Sequence, residues 1–139
     1  VSWLLDTNVI SELRKPAHTA DPGVIAWAVE QEIETLHLCA ITVLELEIGV
    51  RRKERADAEQ GALLRGWLDG SVLPAFAGRI LPIDTTVAIR AGTLDVPDPR
   101  PERDALIAAT AAVHGLTVVT RNVRDFAPLE VPLLNPWSA

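Results

Sequence analysis

Val1-Ser2-Trp3-Leu4-Leu5-Asp6-Thr7-Asn8-Val9-Ile10-Ser11-Glu12 holds the key to the fold. Residues 1–5 form a short apolar run of the kind that makes a buried strand. Asp6 closes that run, and residues 8–14 then place apolar side chains at helical spacing. A strand, an acid at its end and a helix make the first half of a βα unit.

Working outward, the same alternation repeats. Residues 36–40, 79–83, 116–120 and 131–134 read as four more strands. Helical stretches are expected at 24–32, 43–53, 57–68, 86–94 and 102–114, the last stopped by Gly115. Proline-bearing stretches at 15–23, 71–78 and 95–101 read as loops. Strands alternating with helices imply an α/β fold with a central, mostly parallel five-stranded sheet flanked by helices. No repeat, low-complexity segment or glycine-rich phosphate loop is present, so nucleotide-cofactor chemistry has no support.

Composition narrows the class further. The chain has 139 residues, 48% hydrophobic and 23% charged, enough for one domain with its own core. One cysteine, Cys39, sits in an apolar strand, which rules out a disulfide framework within the chain and fits a reducing, cytoplasmic setting. The absence of a long apolar span or a basic leader leads to the expectation of a soluble protein without membrane contact. A formal net charge of −6 opposes general attraction to nucleic acid, which depends on lysine and arginine displacing counterions. Basic residues do gather locally, at Arg14 and Lys15, at Arg51, Arg52, Lys53 and Arg55, and at Arg121 and Arg124.

In a parallel α/β sheet, strand C-termini and helix N-termini share one edge, where ligands bind. Asp6 ends the first strand, Glu45 falls in the first turn after the second, and Asp104 in the first turn of the helix at 102–114. The fourth strand ends at Thr120, ahead of Arg121-Asn122-Val123-Arg124-Asp125. Capping and helix-dipole effects account for acids at such places without any function, and Thr42-Val43-Leu44-Glu45 fits a capping box. Asp84 reaches the same edge by the same reasoning, so position alone yields too many candidates. Converging carboxylates repel, however, and a divalent cation offsets that cost. Magnesium, with oxygen ligands and retained waters, suits such a site and supports phosphodiester hydrolysis. His18, His37 and His114 show no ligand spacing, and Cys39 reads as core rather than nucleophile.

The stretch from Leu4 to Glu12 resembles the opening of PIN-domain ribonuclease toxins of the VapC/FitB type. Residues 40–50 are similar to the second family block, 104–111 to the third and 119–122 to the fourth. Phe76-Ala77-Gly78-Arg79 and Asn135-Pro136-Trp137 are also similar to FitB-like members. The resemblance covers nearly the whole chain and implies one PIN domain over residues 1–139. It implies RNA cleavage with magnesium or manganese at Asp6, Glu45 and Asp104, which would be both the metal-binding and the catalytic acids. Thr7, Asn8 and Thr120 would orient them through hydrogen bonds. Where FitB-like members place a fourth acid this chain has Asn122, which brings no charge; Asp125 would compensate if its loop bends toward the rim. The resemblance further implies a homodimer and a cognate antitoxin, VapB/FitA-like with a DNA-binding N-terminus. Asn122 keeps open an alternative: a weakened subunit acting mainly as a binding partner in a DNA-bound complex. A receiver-like phospho-acceptor role for Asp6 lacks the adjacent acid and the lysine it would need.

Overall fold

A computed structural model of the protein describes residues 1–138. β1 (Trp3–Leu5) lies at the centre of a five-stranded, all-parallel sheet of order β3-β2-β1-β4-β5. The flanking strands are β2 (Leu36–Cys39), β3 (Ile80–Leu81), β4 (Thr117–Val119) and β5 (Leu133–Leu134). The chain fills one side of β1 with β2 and β3, then crosses to the other side with β4. The order therefore reverses at β1 and β4, and in a sheet of this kind the reversal opens a crevice beyond the strand C-termini. Asp6 N–H donates to Val119 O at 2.9 Å, tying the two strand ends together at that point.

Two cores sandwich the sheet. Leu5, Val9, Val24, Leu38, Leu46, Val50, Leu68 and Phe76 fill one face, and Leu4, Cys39, Ile107, Ala108, Ala111, Val118 and Phe126 the other. Adjacent residues Leu4 and Leu5 thus serve opposite faces, as the strand's period of two requires. Three small alanines and Thr110 on α7 (Glu102–His114) are fully buried, which seats this helix against the sheet and brings its first turn over the strand ends.

The remaining helices are α1 (Thr7–Arg14), α2 (Pro22–Val29), α3 (Ala40–Ala56), α4 (Ala58–Trp67), α5 (Leu73–Ala75), α6 (Thr85–Leu94) and α8 (Val123–Phe126). Several differ from the sequence expectation. α2 occupies 22–29 rather than 24–32, because Asp21 accepts from the amides of Gly23 and Val24 and Pro22 takes the first turn, where no amide is needed. α3 begins at Ala40, a residue expected in the strand, with the Cys39 sulfur accepting from Ile41 N–H. The stretch 71–78 is helical as far as Ala75, since a π-turn at Leu68–Val72 carries α4 into α5 and buries Leu68, Val72 and Phe76 in the core. β3 and β5 have only two residues each, shorter than the runs at 79–83 and 131–134.

Candidate acidic site

Asp6 follows β1 directly and caps α1. Its Oδ1 accepts from Thr7 N–H at 2.8 Å, and its Oδ2 accepts from Thr120 Oγ1 at 2.7 Å and Asn8 Nδ2 at 3.3 Å. The side chain is only 6% exposed. Burial pushes its carboxyl above the ordinary aspartate range; the bonds from Thr120 and Thr7 oppose that shift and the nearby Glu45 charge adds to it.

Glu45 projects from α3. Its Oε1 accepts from Thr7 Oγ1 at 2.6 Å, so Thr7 bonds to both acids, by its amide to Asp6 and by its hydroxyl to Glu45. The capping box suggested by Thr42 and Glu45 does not form: α3 starts earlier, and the Glu45 carboxylate turns to Thr7 instead. Arg103, unnoticed in the sequence, approaches Glu45 Oε2 at 3.9 Å. Its only signal was its place beside Asp104 in the first turn of α7.

Asp104 is half-buried, and its carboxyl is also raised, first by burial and then by the charges of Asp6, Asp125 and Glu45. Three distant segments thus bring Asp6, Glu45 and Asp104 within electrostatic reach of one another, at the sheet edge where the strand order reverses. The Asp125 charge, carried on the short helix α8, is among those that raise the Asp104 carboxyl. Asn122 is exposed and begins α8; its amide N–H donates to Thr120 Oγ1 at 3.0 Å, and its side chain makes no capping bond. Asn8 joins the two strand ends, donating to both Asp6 and Thr120 and accepting from Arg121 N–H at 3.3 Å. Asp84 behaves as a plain cap, accepting from Val87 N–H at 2.9 Å, and its charge is not among those acting on Asp6 or Asp104.

Among the described residues, no three histidine, cysteine or acidic side chains close tightly enough to hold an ion by themselves. The donor set fits magnesium in another way: one or two carboxylates bind directly, and water and substrate phosphate complete the shell. An all-oxygen, mutually repelling group suits a hard cation and offers nothing to a soft one. Cys39 is fully buried with its thiol pushed up by burial, and His18, His37 and His114 lie in a loop, in β2 and at the end of α7.

An α/β protein with an acidic cluster at the reversal point of a five-stranded parallel sheet is therefore in view. The chain belongs to the PIN-domain family, whose model matches residues 3–130. It is similar to the VapC ribonuclease Y4jK of Sinorhizobium fredii, at 40% identity over 96% of each chain. It is also similar to Toxin FitB of Neisseria gonorrhoeae, at 41% identity over 96% of this chain and 97% of that one. Among solved structures, FitAcB from Neisseria gonorrhoeae aligns with a TM-score of 0.89 and 39% identity over 99% of both chains. A structure of FitAB bound to IR36 DNA aligns with a TM-score of 0.85 at 36% identity, over 99% of this chain and 96% of that one.

Proposed function

We propose that the protein is a magnesium-dependent endoribonuclease, the toxin of a toxin–antitoxin pair, built as one PIN domain over residues 1–139. Asp6, Glu45 and Asp104 are its metal-binding and catalytic acids. The observation that carries this reading is the crowding of these three carboxylates with a single, distant cation, Arg103, as their ion-pair partner among the described residues. Such crowding is costly unless a divalent ion neutralises it. Bound there, magnesium would polarise a phosphodiester oxygen and lower the pKa of a coordinated water.

The chain's own groups divide the remaining work. Thr7, Asn8 and Thr120 fix the Asp6 carboxylate through three hydrogen bonds, so it is oriented before substrate arrives. Thr7 does the same for Glu45. Asp104 accepts no hydrogen bond from the described residues and is the acid free to orient the attacking water and take its proton. The water oxygen bonds to phosphorus, one bridging P–O bond breaks, and the departing oxygen takes a proton from solvent, to which Asp104 returns the one it removed.

The relatives named as a VapC ribonuclease and a FitB toxin support both the RNA substrate and the toxin role. The FitAcB structure and the DNA-bound FitAB structure support a cognate antitoxin and DNA binding by the complex; the proposal adds a DNA-binding N-terminus on that antitoxin and a homodimeric toxin. A net charge of −6 suits a basic partner segment.

Asn122 supports a second reading, a weakened subunit that mainly binds its partner. Asp125 argues against it, because it returns charge to the rim that Asn122 does not supply. Replacing Asp104 with asparagine tests the first reading: RNA cleavage in magnesium should fall by about 10²–10³ while circular dichroism stays unchanged. Cleavage at the parent rate would overturn it. Calorimetric titration with manganese separates the two readings, since a vestigial site takes up no saturable metal.

A further inference from the structure

Beside the acidic rim lies a second feature that the reaction does not use. A trough of about 430 Å3 lies at the C-terminal end of α1 and the loop that follows it, lined by Glu12, Lys15, His18, Asp21, Arg121 and Trp137 among others. The Arg121 guanidinium lies over the Trp137 ring, 5.6 Å from its centroid, and makes no ion pair among the described residues. Trp137 is held in place by the tail around it. Ser138 donates from its amide to Asp21 Oδ1 at 2.9 Å and from its hydroxyl to Oδ2 at 2.6 Å. Gly23 permits this approach, since a Cβ there would stand 2.6 Å from Pro136 O.

The two acids of the trough are both engaged. Glu12, 8% exposed, accepts from Lys15 Nζ at 2.9 Å and from Asp21 N–H at 2.8 Å, and Asp21 caps α2 as well as binding Ser138. Both carboxyls are held below their ordinary range, Glu12 by the Lys15 bond first and Asp21 by the Ser138 hydroxyl first. Both acids of the trough are thus engaged, while Arg121, exposed and without an ion pair among the described residues, lies over the half-buried Trp137 ring. Arg121 also follows Thr120 directly and donates its amide to Asn8, so it is one residue from the Asp6 network.

Resting on the ribonuclease reading, we propose that this trough is a subsite for a nucleotide flanking the cleaved bond of single-stranded RNA. Arg121 binds a backbone phosphate, and Trp137 positions Arg121 and packs against the nucleotide. Guanidinium–phosphate pairing supplies affinity without reading sequence, and aromatic faces take any base. The volume lies within the range of small-ligand sites, about 300–1,000 Å3. A protein of net charge −6 needs such a local foothold.

The test uses the full chain carrying Asp104→Asn, to keep RNA intact, and a fluorescein-labelled single-stranded oligoribonucleotide followed by anisotropy over a range of KCl. Adding Arg121→Gln should weaken binding and lower the slope of log K against log salt by about 0.7, one phosphate contact on a single strand. Arg121→Lys should keep the slope. Trp137→Leu should cost about tenfold in affinity, the scale of one stacked base, and Trp137→Phe should restore most of it. With Asp104 intact, the loss in Arg121→Gln should fall mainly on KM. Parent affinity and slope in both Arg121→Gln and Trp137→Leu would overturn the subsite; Arg121, exposed at the surface, keeps the test valid if the tail unseats in the tryptophan variant. Absence of RNA cleavage by the parent chain in magnesium would instead sink the ribonuclease reading, and the anisotropy would still decide the subsite.

Discussion

Glu45 and Glu47 stand two residues apart on α3 and meet opposite fates. Glu45 faces Asp6 and Asp104 across the rim, whereas Glu47 faces α4, where Arg65 Nη1 and Nη2 donate to its carboxylate at 2.7 and 2.8 Å and Arg51 adds a third bond at 2.7 Å. Arg65 also reaches Glu54 and Asp69. Each region gathers three or more carboxylates. In one the chain supplies its own guanidinium, and the Glu47 carboxyl is pushed down to about 2, chiefly by the Arg65 bond. In the other, burial first and then the charges of neighbouring acids push the Asp6 and Asp104 carboxyls up. The contrast separates an acid cluster whose charge the chain itself neutralises from one met, among the described residues, only by Arg103 at 3.9 Å, and it shows why residues two apart on a helix cannot share a site.

Magnesium should act on one cluster only. At a hundredfold excess over its Kd the ion should stabilise the parent by about 2.7 kcal/mol through mass action, read as a rise in Tm. Asp6→Asn should lose that rise and Glu47→Gln should keep it; an equal rise in all three would erase the distinction. On the other side, α3 and α4 meet closely enough that a Cβ on Gly61 would lie 2.3 Å from Glu54 Cα. Gly61→Ala should therefore cost about 1–3 kcal/mol in a denaturant melt and leave metal uptake intact.

The pH dependences should have opposite signs. Asp104 has a raised carboxyl, so its contribution to stability is full below the unfolded aspartate range and is lost as pH rises through its folded value. Asp104→Asn in chelator should accordingly melt above the parent at neutral pH, with the gap closing under acid. Glu47 is depressed, so its contribution is present above the unfolded glutamate range, near 4.5, and is lost as pH falls toward about 2. Arg65→Gln should melt below the parent at neutral pH by a small margin, because the pair is part-exposed, and that margin should vanish over the same interval.

Much of this contrast could be read from the chain. Asp6 after an apolar run and Asp104 in the first turn of a long helix follow from strand and helix periodicity, and helical geometry alone sets Glu47 on a different face from Glu45. What escaped depended on contacts between distant segments. Thr7 could be chosen as an orienting residue, but not as the group that bonds both Asp6 and Glu45, since that requires α3 to start at Ala40 on a sulfur cap. The helix α8 and the turn after it were missed because seven residues show no periodicity; only the complete burial of Phe126 and near-complete burial of Leu129 explain them. Pro74 reads as a loop marker, yet it sits in the first turn of α5, where a proline costs no hydrogen bond.

The hydrogen bond from Thr120 to Asp6 spans 114 positions of sequence. A growing polypeptide holds Asp6 and Glu45 long before it can assemble them with Asp104, because α7 and β4 must be made and β4 docked against β1 first. Long-range pairing of this kind forms late and slowly. On the ribonuclease reading proposed above, a ribosome-bound or prematurely ended copy would thus be unarmed until the sheet is complete.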